Sequence, residues 1–207
     1  MSFKKILAIA ALPFIFLSPV HAQEVSHMNK NPVINIPADF VQKEQRYVKA
    51  DGENVVLTRY VRSDGRNAEI EGEHFSTVYT PAGKLKGFVN ITYDLVGKPL
   101  PSKEKAQEIA QKFLRTYAPD LIDGLELHWI DKHDEPICIQ HAGKTEKVTL
   151  TGMKVKMRNK RDGLWFWVIV GADEEVMVFE RDIYWISFPG KRRTEKWLHD
   201  SFLKKNL

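Results

Sequence analysis

The sequence predicts an α+β fold: a curved antiparallel β-sheet packed on one main α-helix, with a short C-terminal helix. Three observations lead there. Runs rich in valine, tyrosine and threonine are separated by turn signals such as Asp64-Gly65 and Asp162-Gly163, the spacing of consecutive hairpins. Between them lies one well-marked amphipathic helix opened by Pro101-Ser102. The run Leu164 to Val170 is apolar at every position, as expected of a strand at the centre of a sheet covered on both sides.

Residues 1–22 read as a secretory signal. Lys4 and Lys5 precede the apolar run Ile6 to Leu17, and Val20 and Ala22 form the small-x-small pattern, so cleavage is expected after Ala22. The apolar run is about half the length that crosses a bilayer as a helix. No cysteine immediately follows the cleavage point, which argues against a lipid anchor there, and the expected address is the periplasm or the exterior. Without Lys4 and Lys5 the 31 basic side chains fall to 29, against 27 acids. So small a net field outside the cytoplasm argues against nucleic acid as a partner. About 185 mature residues suffice for one good core or two small ones. Cys138 is the only cysteine, so packing rather than a disulfide must hold the chain together. Flanked by Ile137 and Ile139, its thiol reads as a small buried hydrophobe, with pairing to a second molecule as the alternative.

Residues 23–46 carry Asn31-Pro32 and Ile36-Pro37 among polar residues and read as an extended, loosely held segment. The ordered body is expected over 47–190, as one unit or as two small subdomains, 47–98 and 99–190. Asn54 to Arg62, Asn67 to Thr80 and Leu85 to Tyr93 form a predicted three-stranded meander, turned at Asp64-Gly65 and at Pro81 to Lys84. In the helix, Ser102 suits the N-cap and Glu104 the positive end of the dipole. Ala106, Ile109, Ala110, Phe113, Leu114 and Tyr117 make one apolar stripe, and Ala118-Pro119 ends it. Period two returns at Leu125, Leu127 and Trp129 and again at Ile137, Ile139 and His141, with Asp131 to Glu135 as a polar hairpin tip between them. Val148 to Arg158 is a long strand, followed by Leu164 to Val170 and, after the turn at Gly171 to Glu174, by Val176 to Ile183. Residues 191–207 hold six basic side chains against Glu195 and Asp200 and read as a basic amphipathic C-terminal helix. Trp197, Leu198 and Phe202 of that helix either dock on the sheet or meet an anionic membrane surface.

Three stretches, Val78 to Phe88, Pro101 to Leu114 and Gly163 to Phe179, resemble PepSY-type domains, which occur in protease propeptides and in many exported bacterial proteins. Their shared pattern is a helix begun by serine and carrying Glu-x-Ala-x-x-Ile-Ala, followed by a hairpin with Asp-x-x-Gly in its turn. Here the last turn reads Gly171-Ala-Asp-Glu-Glu175, with no glycine after the aspartate, and the spacing from helix to hairpin is long. The resemblance covers roughly half of the mature chain, and it implies binding, inhibitory or chaperone-like, rather than catalysis.

The residues themselves carry no metalloprotease helix, nucleophile elbow or phosphate loop. His128, Asp131, His133, Asp134, Glu135, Cys138 and His141 form the one stretch dense in metal-capable types, with His128 and His133 as candidate ligands. Parity opposes a Cys138–His141 pair, because strand residues three apart project to opposite faces. Lys154, Lys156 and Arg158 alternate with Met153, Val155 and Met157, so one face of that strand is cationic. That face is an ordinary solvated surface or a site for an anionic partner. With Trp165 and Trp167 on the next strand, these three cations are the candidate partner-binding residues. The expected function is a non-catalytic, PepSY-like exported protein that uses a concave sheet to bind a protein or peptide, without a cofactor. The alternatives are a small-ligand or lipid binder in an apolar concavity near Trp129, Trp165, Trp167 and Trp185, and a metal-dependent enzyme.

Overall fold

The computed structural model describes residues 32–206. The signal segment expected at 1–22 lies outside the described residues. No helix among the described residues is long and apolar enough to cross a membrane.

The strands are β1 (Phe40–Ala50), β2 (Glu53–Arg62), β3 (His74–Tyr79), β4 (Leu85–Ile91), β5 (Leu125–His141), β6 (Lys144–Asn159), β7 (Trp165–Val170) and β8 (Val176–Ile183). They form one eight-stranded sheet in the order β1-β2-β3-β4-β8-β7-β6-β5, every neighbouring pair antiparallel. Two four-stranded meanders thus meet at β4 and β8, and a single sheet runs through both of the stretches that could have been separate subdomains. The helix α1 (Lys103–Tyr117) connects them. Ser102 caps it as expected, its hydroxyl accepting from the Lys105 amide at 3.1 Å. Ala106, Ala110, Phe113 and Leu114 are buried against one sheet face, where Phe75, Phe88, Phe166, Val168 and Phe179 complete the core.

Three expectations need correction. The extended segment does not run to Arg46: β1 begins at Phe40 and pairs along its length with β2 through Asp51-Gly52, whose φ values of 49° and 86° are those of a type I′ turn. Its polar residues suit an edge strand, where charge guards unpaired backbone, and that composition hides it from a search for apolar runs. Asp64-Gly65 does not join two strands directly, because β3 starts at His74 and residues 63–73 form a longer loop. Asp131 to Glu135 is no hairpin tip either. These residues lie inside the 17-residue strand β5, which turns at Ala142 and Gly143 (φ 49° and 74°) and pairs with β6 throughout. Pro136 is tolerated because β5 is the other edge of the sheet.

The second face carries its own core, in which Leu57, Val78, Val89, Leu150, Ile169 and Val178 are buried beneath the C-terminal segment. That segment is not the amphipathic helix expected over 191–207. A short hairpin, β9 (Trp185–Ile186) with β10 (Lys191–Arg192), leads into an extended strap that ends in one helical turn, α2 (Asp200–Leu203). Specific bonds explain the extension. The Tyr184 amide donates to the Thr194 hydroxyl at 2.9 Å, Trp197 Nε1 donates to the Lys49 carbonyl at 2.7 Å, and Arg59 grips Asp200 through two bonds of 2.6 and 3.0 Å. Leu198 and Leu203 are buried, and Leu198 lies so close over Gly87 that a Cβ there would stand 2.5 Å from its Cδ1.

Candidate binding face

On the second face of β5 to β7 the register sets cations beside indoles. Lys156 is opposite both Trp129 and Trp167, Arg158 is opposite Trp165, and Lys154 is opposite Ile169. Strand periodicity brings alternate residues to one side, so the three cations of β6 and the two tryptophans of β7 share a surface. The Lys154 ammonium lies 4.0 Å from the Trp167 ring centre. That of Lys156 lies 4.4 Å from Trp165, 5.5 Å from Trp129 and 5.6 Å from Trp185, within a cage of three indoles. Arg158 and Arg192 stack at 5.5 Å on Trp165 and 5.8 Å on Trp167. These separations are within the range in which a ring quadrupole attracts a cation.

The surface grades from wet to dry. Trp129 and Trp185 are 38% and 43% exposed, Trp165 is half-buried, and Trp167 is buried. Phe188, near the tip of the β9–β10 hairpin, is almost fully exposed. Burial lowers the Lys156 pKa from its ordinary value and brings that of Lys154 down to about 8, the latter against the attraction of Glu180 and Glu135. All five residues expected from the sequence therefore lie on one surface, joined there by Trp129, Trp185 and Arg192.

Beside them is a buried acid. Glu180 sits on the central strand β8, its two oxygens held by Arg192 Nη1 at 2.7 Å and His199 Nε2 at 3.1 Å. Burial pushes its pKa up, but the charges of His199 and Arg192 outweigh that and hold it at about 2. Sequence reasoning did not single out Glu180, Arg192 or His199. The signal was an acid in the middle of Val176 to Ile183, a run read as pairing with the apolar strand before it, since a carboxylate inside a central strand demands cationic partners. A second buried pair fixes the end of the strap: Arg59 is almost wholly buried against Asp200, and His74 stands 3.9 Å from the same carboxylate. His74 Nδ1 bonds to the Gly72 carbonyl at 3.0 Å, and its Nε2 has no hydrogen-bond partner.

The two histidines considered as metal ligands have separate engagements. His128 lies at the β5 bulge with its ring edge-on to Trp165 at 4.9 Å, and His133 Nε2 bonds to Glu135 Oε1 at 3.0 Å. No three His, Cys, Asp or Glu side chains among the described residues converge as a metal cluster. Cys138 is half-buried on β5 between the buried Ile137 and Ile139, so it does not belong to the core as fully as its flanks suggested.

Comparison with protein families, with characterised proteins and with solved structures yields no significant match.

Proposed function

We propose that this is an exported, non-catalytic, PepSY-like binding protein, cleaved after Ala22 and working in the periplasm, which engages an acidic segment of a protein or peptide partner. The interleaving of Lys154, Lys156 and Arg158 with Trp129, Trp165, Trp167 and Trp185 on one sheet face carries this reading. Tryptophan and arginine anchors surrounded by partly dried cations suit a surface that meets carboxylates and apolar side chains together. The acid-base groups beside it, Glu180 and His199, are ion-paired with each other, an arrangement that favours holding a shape over transferring a proton. A membrane surface is the weaker candidate for the C-terminal segment. Its apolar side chains are engaged inward: Leu198 and Leu203 are buried, and Trp197 packs edge-on to Phe202 at 5.0 Å.

Titrating the signal-cleaved protein with a tryptophan-free peptide of alternating glutamate and leucine, while following tryptophan emission, tests the reading. Binding should weaken with salt, and Lys156→Glu or Trp129→Ala should lower affinity by about tenfold or more, equivalent to about 1.4 kcal/mol. Equal binding by wild type and both variants would refute the assignment of this face.

A further inference from the structure

Among the described residues, Lys154 is the cation of the second face that is drawn furthest from water without an acid beside it. Lys154 is largely removed from water, its ammonium rests on the Trp167 ring at 4.0 Å, and no carboxylate lies within ion-pair distance of it among the described residues. It lines a cavity of about 170 Å³ shared with Trp167, Trp185 and Lys196. The two acids of that cavity are already engaged, Glu180 by Arg192 and His199, and Glu135 by His133. A dried ammonium whose neighbouring carboxylates serve other groups is costly to maintain, and an anion from outside would relieve the cost.

We propose that this cavity binds a single carboxylate carried on an apolar stem, its oxygens paired with Lys154 and its stem against the indoles of Trp167 and Trp185. One negative charge, rather than the two of a phosphate monoester, matches the lining: Lys154, Arg192 and Lys196 face Glu135 and Glu180, which leaves one positive charge uncompensated with the histidines neutral. The apolar stem follows from the aromatic walls. The volume is sufficient for a ring, since an apolar cavity of about 150 Å³ holds benzene. The inference goes beyond the partner reading: it stands or falls on a small acid, whereas that reading stands or falls on the peptide titration at the outer tryptophans.

The test is calorimetric titration of the signal-cleaved protein with sodium benzoate and with benzamide, which has the same shape without the charge. Benzoate should bind saturably and benzamide at least about tenfold more weakly. Lys154→Met, which keeps the stem over Trp167, should abolish benzoate binding, while Lys112→Met, at an exposed position of α1 on the other side of the sheet, should leave it unchanged. A second readout on the wild type needs no variant. The groups facing Lys154 are Glu180, Glu135 and His133 from the sheet, Arg192, Lys196 and His199 from the C-terminal segment, and Lys156 beside it. Burial lowers the Lys154 pKa to about 8, so benzoate affinity should fall above that pH, by up to about tenfold per unit. No saturable binding up to about 50 mM benzoate, a benzamide affinity equal to that of benzoate, a Lys154→Met protein that binds normally, or affinity unchanged up to pH 10 would each overturn the proposal.

Discussion

Replacing Asp200 by alanine tests the closure of the second face at a single carboxylate. Asp200 begins α2, receives two bonds from the buried Arg59 guanidinium, and also accepts the Glu71 amide at 2.5 Å. Removing it leaves a cation 2% exposed with no counter-charge, and stranding one member of a buried pair costs about 3–5 kcal/mol. The nearby pair of Lys204 with Glu71 is solvent-exposed and worth about 0–1 kcal/mol, too little to compensate. Urea unfolding followed by tryptophan emission should show the Asp200→Ala midpoint falling with its slope unchanged. Replacing both partners, as Arg59→Met with Asp200→Leu, should recover most of the loss, because an apolar pair leaves no buried charge. A single variant destabilised by less than about 1 kcal/mol, or a double variant no better than the single, would refute the view that this pair pins the strap.

Strands β2 to β4, the helix and the apolar strand β7 were legible because burial on a known period marks them. Ser102 with Ala106, Ala110, Phe113 and Leu114 is one case, and Trp165 to Val170 is another, its residues divided between the two cores. The edge strands were legible only in part. In β1 and the middle of β5 charge alternates with half-buried residues, so β1 up to Arg46 reads as a loose segment and β5 as two short runs around a tip at Asp131 to Glu135, although Asp51-Gly52 and Ala142-Gly143 stand at the true turns. The strap was misjudged for another reason. Trp197, Leu198 and Phe202 have helical spacing, but long-range bonds to Lys49, Glu180 and Arg59 set its path, and local periodicity carries no trace of partners more than 100 residues away in sequence, as Lys49 and Arg59 are. At the site, the cationic alternation of β6 and the tryptophans of β7 were readable one strand at a time. Their meeting depends on register, which places Lys156 opposite Trp129 and Trp167 and cannot be taken from either strand alone.

Three further outcomes follow from the same geometry. Truncation after Gly190 removes the buried Leu198 and Leu203, each worth about 1.5–3 kcal/mol, and strands Arg59 and Glu180, so near-ultraviolet circular dichroism should show loss of cooperative melting; an unchanged melt would mean that the strap is not part of the core. Gly87→Ala should cost about 1–3 kcal/mol by displacing Leu198 and little in a Leu198→Ala background, and additive losses would refute the close approach. The last concerns pH. Burial first, and then the Arg59 charge, lower the His74 pKa to about 4, so the folded protein refuses a proton that the unfolded chain accepts below pH 6.5. The stability this confers is complete above pH 6.5 and is lost as pH falls to about 4, in total about 3 kcal/mol. His199, whose pKa is raised, contributes stability that is present below 6.5 and lost on the alkaline side, while Glu180 and Asp200, both lowered, act below about 4.5, so the window between belongs to His74. His74→Asn, which can still donate to the Gly72 carbonyl, should flatten the stability profile between pH 6.5 and 4.5; a variant with the wild-type slope would show that the acid sensitivity arises elsewhere.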